Sequence, residues 1–309
     1  MSVRQWAVAA AVSLAVNAAP LAGQAPGHAT HMTGAAGGGD TIDSATTAFL
    51  ARAREGTRRY QSQEAAIADG YRRVGVGFPA MGEHWVNASA VLGDTLIAER
   101  PAVLIYVDVG GEPRLAGVAY TDLLRPGEVR PVFPAPGMWH EHNGTVADES
   151  FPLNHGDARA MLASDGGAEL RLAVLHAWIW TPNPRGVFST DNWSLPFVRL
   201  GIPAADGVPR EVLQALALAL DDEGYLLLTL RTGLGLTVDE EDAASTVLAT
   251  RRTLAKDEAA AIQAAGQLTA EESARLAALW AETWPALERA LPARAAALRQ
   301  LRAQLAGHG

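Results

Sequence analysis

ELRLAVLHAWIW, Glu169 to Trp180, is the stretch that decides the fold class of this 309-residue chain. It is long, apolar and aromatic, and bounded by Gly166-Gly167 on one side and Pro182-Asn183-Pro184 on the other. Those boundaries and that composition describe a strand. Its apolar residues fall on both faces of an extended chain, so it reads as a central strand covered on both sides. On one face stand Leu170, Leu172, Val174, His176, Trp178 and Trp180. A histidine in the middle of such a face must find a partner, because burying an unpaired polar group is costly.

Upstream, PAVLIYVDV (Pro101–Val109) and RLAGVAYTDLL (Arg114–Leu124) are strand-like runs joined by GGEP, which reads as a hairpin with a four-residue loop. Pro126 to Pro136 is too proline-rich for a central strand, and Val187 to Pro203 reads as a shorter, looped return. From Ile42 to Tyr71, residues Ile42, Phe49, Ala53, Tyr60, Ile67 and Tyr71 share one helical face, with Gly70 as the stop and Gly56 as a place where the helix would split.

Beyond residue 204 the pattern becomes helical. PREVLQALALAL opens with proline at a helix start, and Asp239–Ala265 ends at Gly266. Thr269 to Glu272 has capping-box spacing, and Pro285 and Pro292 are expected to interrupt the last helix. Tyr225–Thr237 fits strand and helix equally. The fold expected is α+β: an antiparallel sheet or barrel-like core with an N-terminal helix, over residues 42–203, followed by a helical region over 204–309.

The N-terminus reads as an export signal through about residue 24, with a short basic start, an apolar run from Trp6 to Val16 and small residues after it. Residues 25–41 are Gly/Ala-rich and read as a flexible linker. A periplasmic or secreted bacterial protein is therefore expected, with no membrane span once the signal is removed. The formal net charge is −9, which disfavours nucleic acid as a partner. There are no cysteines, so thiolate metal sites and cysteine nucleophiles are excluded. Any metal must be held by His, carboxylate, Met or backbone oxygen.

Histidines are the chemically informative residues. GMWHEHNGTVADE (Gly137–Glu149) places His140 and His142 one residue apart, so on a strand both imidazoles point the same way. Glu149 would return as an oxygen ligand or as an acid–base group. His84 in MGEHWVN and His176 in LHAW complete a set of four imidazoles among Trp85, Trp139, Trp178, Trp180 and Trp193. The set points to one divalent transition metal, with Zn, Fe, Mn, Ni and Cu all compatible with nitrogen and oxygen ligands. Taken alone, His176 reads as a core histidine bonded to a carboxylate or carbonyl. Trp178 and Trp180 read first as plain β-core.

Two resemblances bear on these residues. Gly137, His140, His142, Glu149 and Gly156, with His176 downstream, partly resemble the metal motif of cupins, although the spacing to Glu149 is longer and no PxG motif precedes His176. MGEHWVN, RLAGVAY, LHAWIWTPNPRGVF and DNWSLP, within Tyr60–Leu200, resemble an uncharacterised bacterial family. That family carries an MGxH-aromatic-VN block and an LHxW…NPxGxF block. The resemblance selects His84, His176 and one of His140 and His142 without supplying an activity.

The function expected is an exported, mononuclear His-ligated metalloenzyme, hydrolytic or oxidative, acting on a small substrate. A non-catalytic metal-binding or sensing protein, drawing on His28, His31 and Met32, is one alternative. A metal-free ligand-binding envelope protein is the other. The C-terminal helices offer a surface for homo-oligomer formation.

Overall fold

The computed structural model describes residues 42–93, 95–125, 127–142 and 171–307. It has the α+β architecture expected, an antiparallel sheet followed by a helical region. The signal and linker expectations for residues 1–41, together with Glu149 and the start of the ELRLAVLHAWIW stretch, lie outside the described residues.

Helix α1 (Ser44–Thr57) begins where the Asp43 carboxylate accepts a hydrogen bond from the Thr46 amide at 2.7 Å. Its buried residues Thr46, Phe49, Ala53 and Thr57 form one stripe at helical spacing. The helix expected to run on towards Tyr71 is broken. A 3-10 turn (Arg58–Gln61) follows, and Ser62 caps a new short helix, α2 (Gln63–Ala68). The break lets Tyr60 turn inward, where Tyr106 donates its hydroxyl to the Tyr60 carbonyl at 2.5 Å.

The sheet contains β1 (Arg72–Phe78), β2 (Gly82–Val86), β3 (Val103–Val109), β4 (Glu112–Leu124), β5 (His140–His142) and β6 (Arg171–Ala177), with the short helix α3 (Ala88–Val91) between β2 and β3. Their order is β1-β2-β3-β4-β6-β5, antiparallel throughout. The β3–β4 hairpin turns on two residues rather than four. Gly110 and Gly111 both have positive φ, and Glu112 and Pro113 already pair with Val109 and Asp108. Two consecutive positive-φ residues match the turn whose twist suits a hairpin. A bulge at Ala116 shifts the register between Ile105 and Tyr106.

Both faces of the sheet are covered. The outer face packs Leu104, Tyr106, Val118, Tyr120 and Leu175 under Phe49, Ala53 and Tyr60. The inner face carries Val103, Ile105, Val107, Ala119, Val174 and Trp178, covered by Leu195 of helix α4 (Leu195–Leu200). The strand ends at Ala177, so Trp178 remains on the inner side while Trp180 packs with the outer cluster. They do not share a face. The segment expected as a looped return, Val187–Pro203, contributes α4 and no strand among the described residues.

The helical region comprises α5 (Arg210–Ala219), α6 (Tyr225–Leu234), α7 (Val238–Ala265), α8 (Ala270–Ala290) and α9 (Ala295–Gly307), around its own core of Leu216, Leu230, Ile262, Leu276 and Trp284. The ambiguous stretch after Tyr225 is a helix. Both Asp221 carboxylate oxygens accept from its first amides, Tyr225 and Leu226, at 2.6 and 2.9 Å. Thr237 and Thr269 each close a full capping box. Pro285 does not interrupt α8; it lies within the helix, and Trp284 and Leu287 on either side are buried in the core. Among the described residues no helix is long and apolar enough to cross a membrane.

Candidate metal centre

Strand pairing explains how histidines far apart in sequence meet. On the inner face His84 pairs with Ile105, which pairs with Gly117. Ala119 pairs with His176, and His140 pairs with Val174 two residues before it. By alternation, His84, His140 and His176 therefore point to the same side of the sheet.

Two strands separate β2 from β6, a span of roughly 14 Å in a flat sheet. Yet the His84 and His176 ring centroids are only 6.0 Å apart. The inner face must be concave, and both rings must lean across the strands between them. Small residues make this feasible. Gly117 and Ala119 occupy β4 there, and a Cβ at Gly117 would come within 3.0 Å of the Trp178 ring and 3.1 Å of the Ala177 carbonyl. His140 reaches His176 from the opposite side, with ring centroids 5.2 Å apart.

The surroundings are dry and aromatic. Phe78 stands edge-on to His84 at 5.3 Å, and Trp178 lies 6.1 Å from His176. His176 is 1% exposed. His84 and His140 keep some surface, but His84 Nδ1 and both His140 nitrogens are buried. Desolvation therefore pushes both pKa values down to about 4, opposed weakly by the backbone carbonyls of Gly82 and Met138, which favour the protonated ring. At neutral pH both imidazoles are uncharged, the form in which histidine binds metals.

Two residues that sequence reasoning missed belong to this neighbourhood. Phe78 forms a wall against His84. Thr121 pairs with Val174, as His140 does from the other side, and its buried Oγ1 meets no hydrogen-bond partner among the described residues. His84 Nδ1 is likewise without one. The signal for Thr121 was its alternation with Ala119 in GVAYTDLL, legible only once the β4–β6 register is known.

His142 follows His140 in β5 and pairs with Leu172. Its side chain, like Glu149, lies outside the described residues. Among the described residues no three His, Asp or Glu side chains are arranged to hold an ion as they stand. The sheet thus brings together three of the four histidines singled out in the sequence.

Within DNWSLP, Asn192 and Ser194 hold structure. The Asn192 amide donates to the Ala80 carbonyl at 2.8 Å, and the Ser194 hydroxyl donates to the Pro182 carbonyl at 2.9 Å. These bonds tie the stretch after β6 to the β1–β2 turn.

No family model, curated protein or solved structure matches this chain.

Proposed function

We propose that this is an exported metal-binding protein in which His84, His140 and His176 hold one divalent transition ion, completed by His142 or Glu149. One observation carries the reading: three imidazoles from three separate strands converge on a concave, desolvated face. Two imidazoles on one tetrahedral ion, with metal–nitrogen bonds of about 2.0–2.1 Å, place their ring centroids about 5 Å apart. The separations of His140 and His84 from His176, 5.2 and 6.0 Å, lie close to that, while His84 and His140 make no ring contact with each other among the described residues and must move together to share an ion. The depressed pKa values of His84 and His140 mean that binding at neutral pH displaces no proton from either.

When the three imidazoles alone bind and neither His142 nor Glu149 ligates, a fourth position is left for water or substrate, where a metal would supply Lewis-acid, hydrolytic or oxidative chemistry. In this reading Glu149 acts as general base beside that position, and the aromatic walls keep bulk water out. A non-catalytic metal-binding role has one observation in its favour. Among the described residues, a concavity bordered by Glu128, Arg130 and Trp139 and another beside Phe78 are not lined by the histidines.

Elemental analysis of tag-free protein after reconstitution with Zn, Cu, Fe, Mn or Ni tests the metal. About one equivalent is expected in the wild type, lost in His140→Ala and in His176→Ala. No stoichiometric metal with any of the five ions, together with unchanged melting in chelator, overturns the reading. Azide binding to the copper-loaded protein then separates the roles, since a closed ligand set takes up no azide.

A further inference from the structure

A different part of the molecule carries features of a binding site that the metal reading does not use. Arg210, the first residue of α5, is largely buried, and its guanidinium carbon lies 4.4 Å from the centre of the Trp193 ring. Its Nε is buried without a hydrogen-bond acceptor among the described residues. Among those residues it also forms no ion pair within 4.0 Å. A guanidinium nitrogen that is buried without an acceptor is costly, and an anion that meets the group offsets that cost.

The charges nearby leave it in surplus. Asp191 is the carboxylate whose charge acts on Arg210, but it accepts from Trp193 Nε1 at 2.7 Å and lies 3.6 Å from Arg185. Two guanidiniums thus share one carboxylate. An anion is the complement that is missing.

The tryptophan on which Arg210 stacks also borders an apolar hollow, which Arg210 itself does not line. Trp193 and Gln214, one helical turn beyond Arg210, line a cavity of about 50 Å³ closed by Phe78, Ala217, Tyr225 and Trp280. That is several times the space of roughly 10–15 Å³ that one water needs, so it suits a tail of a few carbons. Asp221 also borders it, but both its oxygens are engaged by the first amides of α6.

We propose that this cavity binds a small carboxylate, with a short apolar tail among Phe78, Trp193 and Ala217 and its head on the Arg210 guanidinium. Arg185 adds long-range attraction for the anion. The site does not depend on the metal reading. Its one connection to the histidines is Phe78, which borders the cavity and stands against His84.

Sodium butyrate is the probe, with n-butanol as its uncharged counterpart, titrated into the full chain and followed by calorimetry and tryptophan fluorescence. Butyrate is expected to bind saturably and butanol at least tenfold more weakly, the difference a charge-assisted pair makes. Arg210→Gln should weaken butyrate at least tenfold, and Ala217→Leu, which fills the cavity without touching the charges, should abolish binding. Unchanged circular dichroism shows that each variant is folded. The proposal is overturned if the wild type does not bind butyrate, if butanol binds equally well, or if a folded variant binds as the wild type does. Metal content measured on the same samples keeps this outcome distinct from that of the histidine site.

Discussion

An imidazole that stays neutral in the fold must still take up a proton when the chain unfolds. For His84 and His140 the folded pKa lies near 4 against an ordinary value of 6.5. Between those values the unfolded chain binds more protons than the native one, so stability falls as pH falls from about 6.5 towards 4. The loss is of order 3 kcal/mol for each histidine. Urea titrations of the metal-free protein at pH 7, 5.5 and 4 check this; the midpoint should fall steadily and the slope should flatten in His84→Phe. A midpoint independent of pH over that window would mean that these rings are solvated. At this scale the sequence was informative about type but not about place. His84, His140 and His176 stood out as residues able to bind metal. Phe78 and Thr121 did not, because nothing local marks an edge-on ring contact or an unsatisfied hydroxyl until the strand register is set.

Elements were most legible where a local interaction fixes them. The Thr269–Glu272 box starts α8 as its spacing implied, with the Thr269 and Glu272 backbone and side-chain bonds both formed. Thr269→Ala should therefore cost about 1 kcal/mol in denaturant unfolding. The elements misjudged were those decided by distant partners. Pro285 was expected to end a helix, yet the buried Trp284 and Leu287 beside it hold α8 together. The hairpin turn was read as four residues because Glu112 and Pro113 look like turn residues, whereas β4 takes both into its ladder. The β1–β2 hairpin depends on Gly82, whose φ is +71° and whose Cβ position lies 2.4 Å from the Tyr106 carbonyl oxygen. Any side chain there collides with the β3 backbone and must also adopt a left-handed conformation. Gly82→Ala should cost about 3 kcal/mol or more and displace His84, two residues on. A thermal midpoint within a degree or two of wild type would show that β2 can shift to absorb the change.

On the scale of the whole molecule, two cores meet through a narrow set of residues. The sheet faces form one pair of clusters and helices α5 to α9 form another, with α4 packed between them. Its Leu195 and Val198 face the sheet, while Phe197 and Leu200 face the helices. Phe78, Met81 and Tyr225 make a second, smaller joint, and Arg73 of β1 pairs with Glu223 just before α6. The change from alternating to helical periodicity near residue 204 made this division legible. The joint was not, because one short helix that serves two cores reads in sequence as a loop. Removing the helix-facing side of α4 should loosen the joint while leaving the histidine face intact. Phe197 is 1% exposed, and Phe197→Ala opens a cavity costing about 3–5 kcal/mol on that side. Leu195 stays in place against the inner face, so metal content should remain that of the wild type. Scanning calorimetry should then resolve the wild-type transition into two, the helical region melting first. If the variant keeps a single cooperative transition that is merely shifted down, the two cores fold as one unit, and α4 is only part of it.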